Sequence, residues 1–278
     1  MTCLLACCAL VAGCRPGGGA DVAPVNATQN DVQAQLPPPV TPAILNREEL
    51  LLAVGRSSSA LALGRDDSIA QRTLDGQQYE FRIRFGCASG QAPERNAYSV
   101  AFDEAKRTLR LGATPEINGT DPMIAAVATG EIEAVEGFWV EQPWLLDVGC
   151  PRTPKPALSV EAAELEAKEP DQVQQAPTPA SSRIGLAQFF GPEESRTLRR
   201  NSRAYQVTKT LPDEVSPSAS GYDLVLSGRL RKLADGRVIA CSLASAFARP
   251  SCVVSVSFDR VSIRRGDNDE LLADWGGG

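Results

Sequence analysis

The first half of the chain alternates apolar and charged residues in runs that predict short β-strands. Residues 79–85 carry Tyr, Phe, Ile and Phe at every second position, with Glu and Arg between them. This two-residue period is typical of a strand that buries one face and exposes the other. Residues 97–102 and 108–111 flank a polar turn and predict a hairpin, and residues 132–140 predict a further strand.

A helix is predicted ahead of these strands, over residues 46–63. Asn46, followed three positions later by Glu49, is a capping-box pattern. Leucine and valine side chains within residues 50–61 supply an apolar stripe for one face of the helix. The serine run at 57–59 is the place where the pattern predicts an interruption.

The second half of the chain is also rich in predicted strands. Asp235-Gly236 is a hairpin signal, which turns the chain from one strand into the next. The strands predicted in this half cover residues 184–190, an alternating run that begins with 222–226, and residues 238–241, 252–258 and 261–263.

Residues 152–182 separate the two halves. This stretch is rich in Pro, Ala and Glu, which predicts a linker. We therefore expect a strand-rich α+β fold with two antiparallel-sheet modules, residues 46–151 and 183–275, each with one disulfide. The alternative architecture is one continuous α+β domain with residues 152–182 looped out.

The chain opens with a short apolar run that ends in small residues and a cysteine. Residues 4–11 are about a third of the length needed to cross a bilayer as a helix, which favours a cleaved export signal over a membrane anchor. Residues 11–14, Val-Ala-Gly-Cys, resemble the lipobox of bacterial lipoprotein precursors. The resemblance implies a signal peptide over residues 1–13 and lipid, including palmitate, on Cys14. The alternative is an apolar N-terminus packed in the fold of a cytosolic protein.

Residues 14–45 predict a disordered tether behind the lipidated cysteine, because they are rich in Gly, Asn, Gln and Pro and hold few large apolar side chains. About 30 residues reach about 100 Å when fully extended. Arg15 follows Cys14 where many lipoproteins retained in the inner membrane carry Asp. The resemblance therefore implies the periplasmic face of the outer membrane.

The cysteine count agrees with an exported protein. Of 8 cysteines, three would be removed with the signal peptide and Cys14 would carry lipid. An even number remains, which predicts disulfides. We expect Cys87 to pair with Cys150 and Cys241 with Cys252, because each pair lies on one side of the linker. The longer bridge would stabilise the fold by about 4 kcal/mol and the shorter by about 3 kcal/mol. The rival is a four-cysteine zinc site, which normally shows two closely spaced pairs.

Composition excludes several classes of function. The formal net charge of -6 argues against general affinity for nucleic acid or anionic lipid. The chain has no histidine, which excludes Ser-His-Asp triads, Cys-His dyads, imidazole metal ligands and histidine general bases. Any enzyme would have to use carboxylates, Ser-Lys chemistry or a bound cofactor. We predict no cofactor, no metal site and no catalytic residue.

One candidate ligand site combines Glu136 with Trp139 and Trp144. Indole faces can stack on sugars, and a carboxylate among them can act as a general acid. The competing interpretation is core packing. In a strand, Glu136 and residues 138 and 140 share one face while Trp139 lies on the other, as in a strand buried on both sides. We favour core packing.

A second candidate is a row of arginines after Pro192, which predicts the start of a short helix. Helical spacing would align their guanidiniums to bind phosphates of an envelope polyanion. The competing interpretation is a structural role, in which glutamates near the helix start and arginines near its end complement the helix dipole. The row consists of Arg196, Arg199, Arg200 and Arg203. We expect the helix to end near Asn201, which would take Arg203 off the row.

Acidic residues 267–270, Asp-Asn-Asp-Glu, are a third cluster. Their oxygen atoms can attract calcium, but the spaced ligand series of an EF-hand loop is missing. We expect a solvated turn here.

Taken together, these patterns favour a cell-envelope lipoprotein with a non-catalytic binding or scaffolding role. It would reach the membrane through its N-terminal lipid and meet an envelope protein or glycan, with no nucleic-acid partner. The alternative function is a carboxylate-dependent enzyme that acts on envelope glycan.

Overall fold

The helix predicted near the start of the folded region is present as α1, Arg47–Ala62. Its capping box is complete: the Asn46 side chain accepts a hydrogen bond from the Glu49 amide at 3.0 Å, and the Glu49 carboxylate accepts one from the Asn46 amide at 2.9 Å. The serine run does not interrupt the helix, so that expectation was wrong. Ser59 satisfies its hydroxyl within the helix by donating to the Gly55 carbonyl at 2.7 Å, and Ser57 is buried.

The computed structural model describes residues 43–87, 97–128, 132–151, 183–194, 199–245 and 248–276. Cys14, the predicted signal peptide, most of the tether and the linker at 152–182 lie outside these residues. The folded region begins slightly earlier than predicted, because Leu45 forms a parallel bridge with Tyr79. No helix in the described ranges is long and apolar enough to cross a membrane.

Seven of the described strands form a main sheet. The main sheet consists of β1 (Gln78–Phe85), β4 (Ala134–Trp139), β5 (Ile184–Phe190), β7 (Tyr222–Leu230), β8 (Ile239–Ser242), β9 (Ser251–Arg265) and β10 (Leu271–Gly276). The order is β1-β7-β9-β5-β4, and β8 and β10 also pair with β9.

The remaining described strands form a second sheet of three antiparallel strands. The predicted hairpin supplies β2 (Tyr98–Asp103) and β3 (Thr108–Ala113), which are paired in register. The third strand, β6 (Tyr205–Thr210), pairs with β3. Two short helices complete the described elements, α2 (Ser68–Gln71) and α3 (Pro122–Val127).

Strands from the two halves of the chain pair with each other in the main sheet. β1 pairs with β7 along its whole length, and β4 pairs with β5 across residues 152–182. The strand-rich α+β class with two sheets is confirmed, but the sheets do not divide at the linker. The pairing matches the alternative architecture, one continuous domain, because strands of each half find their neighbours in the other.

β9 is the centre of the main sheet. The two strands predicted over 252–258 and 261–263 are one continuous strand of 15 residues. β7 and β8 lie along one edge of β9, and β5 and β10 lie along the other. At Gly228 the β7–β9 register shifts, and a side chain there would meet the Ser257 carbonyl oxygen, so only glycine fits.

The Asp235-Gly236 turn forms, and Leu233 donates to the Arg237 carbonyl across it at 2.7 Å. The hairpin signal predicted that the strands on either side of this turn pair with each other, and they do not. Both pair with β9 instead. A tight turn fixes the direction of the chain, but the partner of each strand depends on the whole sheet.

Both predicted disulfides are formed. Cys87 and Cys150 are bonded with their Cα atoms 5.7 Å apart, and Cys241 and Cys252 with theirs 4.1 Å apart. The second bridge joins residues that face each other directly in the β8–β9 pairing.

The core has two parts, one on each face of β4. The larger part joins α1, the main sheet and the second sheet, and it includes Phe138. The smaller part lies under α3 and includes Trp139. The prediction that this strand is buried on both sides is confirmed, since Phe138 and Trp139 are 1% and 4% exposed.

Candidate functional site

Glu136, the candidate general acid, binds the chain's own backbone. One carboxylate oxygen accepts a hydrogen bond from the Arg200 amide at 2.9 Å and the other from the Asn201 amide at 2.5 Å. Asn201 and Ser202 both have left-handed backbone conformations, with φ of 53° and 59°. Two consecutive amides that converge on an anion form a small anion-binding concavity, and here the carboxylate of Glu136 fills it. Glu136 therefore holds a strained turn against β4.

The arginine row predicted after Pro192 does not form among the described residues. The described residues from Pro192 to Glu194 make a turn, Arg196 lies outside the described residues, and the left-handed pair after Arg200 is incompatible with a continuing helix. These left-handed residues lie where the helix was expected to end, and Arg203 is not aligned with Arg199 and Arg200. A local sequence pattern does not reveal these left-handed residues, because Glu136 stabilises them from a distant strand.

Arg199 and Arg200 are used inside the fold. The Arg199 guanidinium donates to the Glu133 carboxylate at 3.0 Å and lies 5.5 Å from the centre of the Phe190 ring. The Arg200 guanidinium lies 4.1 Å from the centre of the Tyr205 ring and donates to the Ala204 carbonyl at 3.2 Å. Arg199 therefore stabilises the contact between this segment and the main sheet, whereas the Arg200 guanidinium stabilises residues 199–205 internally.

The two candidate tryptophans occupy different environments. Trp139 is in the core, with the Arg183 guanidinium stacked 3.7 Å from its ring centre. Arg183 in turn pairs with Asp121 at 2.6 Å. Trp144 is 73% exposed. Because Trp139 is closed off from solvent, it cannot line an open sugar-binding cleft with Trp144.

The acidic cluster forms the turn between β9 and β10, and arginines neutralise it. Asp269 pairs with Arg82 at 2.6 Å and with Arg264 at 3.0 Å, and Asp267 pairs with Arg265 at 3.0 Å. The hydrogen bond from Arg82 lowers the pKa of Asp269 below its ordinary value. Within the described ranges, no group of three or more Cys, Asp or Glu residues is placed to hold a metal ion.

An open groove runs along one side of α1, and sequence reasoning did not single it out. Its volume is about 550 Å³. Two apolar side chains beside it remain in contact with solvent, since Leu52 is 43% and Leu63 is 62% exposed. The groove is lined by Leu51, Leu52, Gly55, Arg56, Ser59, Ala60, Leu63 and Arg65. We call this surface the α1 groove.

Arg47 fixes the helix that carries the α1 groove. This side chain is 6% exposed and lies 5.0 Å from the centre of the Phe81 ring. Desolvation by burial lowers the pKa of Arg47 to about 10. Its guanidinium donates to four carbonyl oxygens, those of Arg82, Glu141, Gln142 and Leu145, at 2.8, 3.4, 3.2 and 3.0 Å.

The sequence contained one signal for the α1 groove. Leu50, Leu51 and Val54 form the buried stripe of the helix, but Leu52 is out of step with them and points to the opposite side. Gly55 is a second irregularity, since glycine is unfavourable inside a helix.

No family model, curated protein or solved structure matches this chain.

Proposed function

We propose that this chain is an exported lipoprotein of the bacterial cell envelope with a non-catalytic binding role. It is anchored through lipid on Cys14 at the periplasmic face of the outer membrane, and its α+β body binds another envelope protein. The observation that carries the binding role is the α1 groove, an open surface with two exposed leucines and two exposed arginines on a helix that is otherwise firmly fixed.

Export is supported by the sequence around Cys14 and by the two disulfides. Disulfides persist in oxidising compartments such as the periplasm and are rare in the cytosol. Both bridges of the described residues use the cysteines that remain once the signal peptide and the lipidated residue are set aside.

Binding is favoured over glycan hydrolysis by the state of the carboxylates. A glycosidase needs two carboxylates that reach the substrate. Both oxygens of Glu136 accept hydrogen bonds from backbone amides, and Glu133 pairs with Arg199. Neither group is directed into a cleft with the tryptophans, so we do not carry the enzymatic alternative forward.

Metabolic labelling tests the anchor. The full chain is expressed in a Gram-negative bacterium with radiolabelled palmitate, beside Cys14→Ser and the matched control Cys8→Ser. We expect label and membrane association for the wild type and for Cys8→Ser, because only Cys14 carries the lipid. Cys14→Ser should be unlabelled and absent from the outer-membrane fraction. Label that persists in Cys14→Ser, or an unlabelled wild type, would contradict the proposal.

A further inference from the structure

We infer that the α1 groove binds an acidic, amphipathic helical segment of a partner protein. This inference rests on the proposed binding function and adds the chemistry of the partner. It is carried by three properties of the surface: small residues in its lining, two apolar ends and two arginines.

Two of the small residues that line the α1 groove, Gly55 and Ser59, lie one helical turn apart. A side chain added at Gly55 would meet nothing within 4 Å. The fold itself therefore gives no reason for glycine at this helical position, where it is destabilising. Small residues at this spacing let a second backbone approach closely, which explains the glycine.

The apolar ends of the groove set the length of the partner. Leu52 and Leu63 are separated by eleven helical positions, which correspond to about 16 Å along the axis of α1. Three turns of a partner helix span this distance. Apolar residues on one face of that helix, at spacings of three and four, would contact both leucines at once.

The two arginines set the charge of the partner. Arg56 and Arg65 line the groove and are exposed to solvent. Neither takes part in an ion pair with another described residue. Glutamates or aspartates that flank the apolar face of the partner would neutralise these charges. Complementary charge would also speed association and disfavour basic segments.

Peptide binding tests the inference on the purified full chain. The probes are two fluorescent model helices with the same leucine spacing. Their remaining surface positions carry glutamate in one peptide and lysine in the other. We expect the glutamate peptide to bind at least about tenfold more tightly than the lysine peptide. Its affinity should fall as NaCl is raised from about 0.1 M to about 0.5 M, because the arginines act through exposed charge.

Two variants locate the site. Gly55→Leu places a large side chain in the groove and should weaken binding of the glutamate peptide by about tenfold or more. Arg56→Glu should weaken binding of the same peptide severalfold. Gly119→Leu and Arg231→Glu are the matched controls, because Gly119 also has open space around it and both residues are exposed outside the groove. Thermal unfolding checks that each variant is folded.

A failure of the glutamate peptide to bind, equal binding of both peptides, or unchanged binding by Gly55→Leu would overturn the inference. A photo-crosslinker at position 63 in cells provides the second readout. Crosslinks to an acidic helical segment of another protein would support the inference. Crosslinks to lipid, to a second copy, to residues 152–182 of the same chain, or to nothing would overturn it. The peptide experiment does not depend on export, so failure of the palmitate experiment would leave it intact.

Discussion

Arg84 of β1 and Asp223 of β7 face each other across the strand pairing that joins the two halves of the chain. The guanidinium donates two hydrogen bonds to the carboxylate, from Nε to Oδ1 at 2.5 Å and from Nη2 to Oδ2 at 3.0 Å. The side chains are 13% and 4% exposed. Because both charges are largely withdrawn from water, each depends on the other for solvation.

Replacing one partner of this pair should destabilise the fold strongly. We expect Asp223→Ala to lower the free energy of unfolding by about 3–5 kcal/mol, because it leaves the Arg84 guanidinium buried and unpaired. Urea unfolding measures the change. The control is Lys106→Ala, which removes the exposed ion pair with Asp103 and should change stability by less than about 1 kcal/mol. Similar losses in the two variants would show that the Arg84–Asp223 pair does not join the halves as described.

Glu136 should act as a structural residue. Glu136→Ala should lower the free energy of unfolding by about 1–3 kcal/mol, because the amides of Arg200 and Asn201 lose their acceptors. Glu136→Gln keeps one acceptor oxygen and should lower the free energy of unfolding by a smaller amount. Hydrogen exchange of these two amides should accelerate in Glu136→Ala before global unfolding. Unchanged exchange would mean that the carboxylate does not hold the turn.

The tyrosines should make the fold sensitive to alkali. Burial raises the pKa of Tyr205 to about 12, and burial also raises the pKa values of Tyr79 and Tyr222 above the ordinary value of 10. The folded chain therefore keeps protons that the unfolded chain releases. Stability from these groups is fully present below pH 10 and is lost as the pH rises toward the folded-state values.

Phenolate absorbance measures this effect. In urea the tyrosines should titrate near their ordinary pKa. Without urea, phenolate should form only at higher pH and together with the loss of near-ultraviolet circular dichroism. Titration of Tyr205 at its ordinary pKa in the folded protein would contradict the description of its environment.

The same substitution at two glycines should change the free energy of unfolding in opposite directions. Gly55→Ala should raise the free energy of unfolding by up to about 1 kcal/mol, because alanine is the better helix former and the added methyl meets nothing. Gly228→Ala should lower it, because the methyl collides with the Ser257 backbone at the register shift. Melting temperatures of the two variants provide the measurement. A stabilising Gly228→Ala would contradict the close approach of β7 and β9.

Local patterns predicted elements well and their partners poorly. The alternation in β1 and the capping box of α1 are properties of neighbouring residues, and both were found where predicted. β6 was missed because few of its residues are apolar, and its pattern is that of an exposed edge strand. Which strand pairs with which is decided by contacts between distant residues. In the main sheet β5 runs parallel to β9 while the other strand pairs are antiparallel, and periodicity alone could not predict this arrangement.

The candidate site residues also differ in whether local sequence patterns predict their roles. The burial of Trp139 follows from the alternation of β4 and was expected from it. The role of Glu136 depends on a turn that lies more than sixty residues away in sequence, and no spacing rule relates the two. The α1 groove became visible only when the direction of each leucine on the helix was known.

β9 follows most of its neighbours in the order of the chain, and this order affects when the fold can form. Its neighbours β5, β7, β8 and β10 all form hydrogen bonds with β9, and most of them are synthesised before it. Until a ribosome has passed Arg265, these strands have no central partner, and the main sheet cannot close.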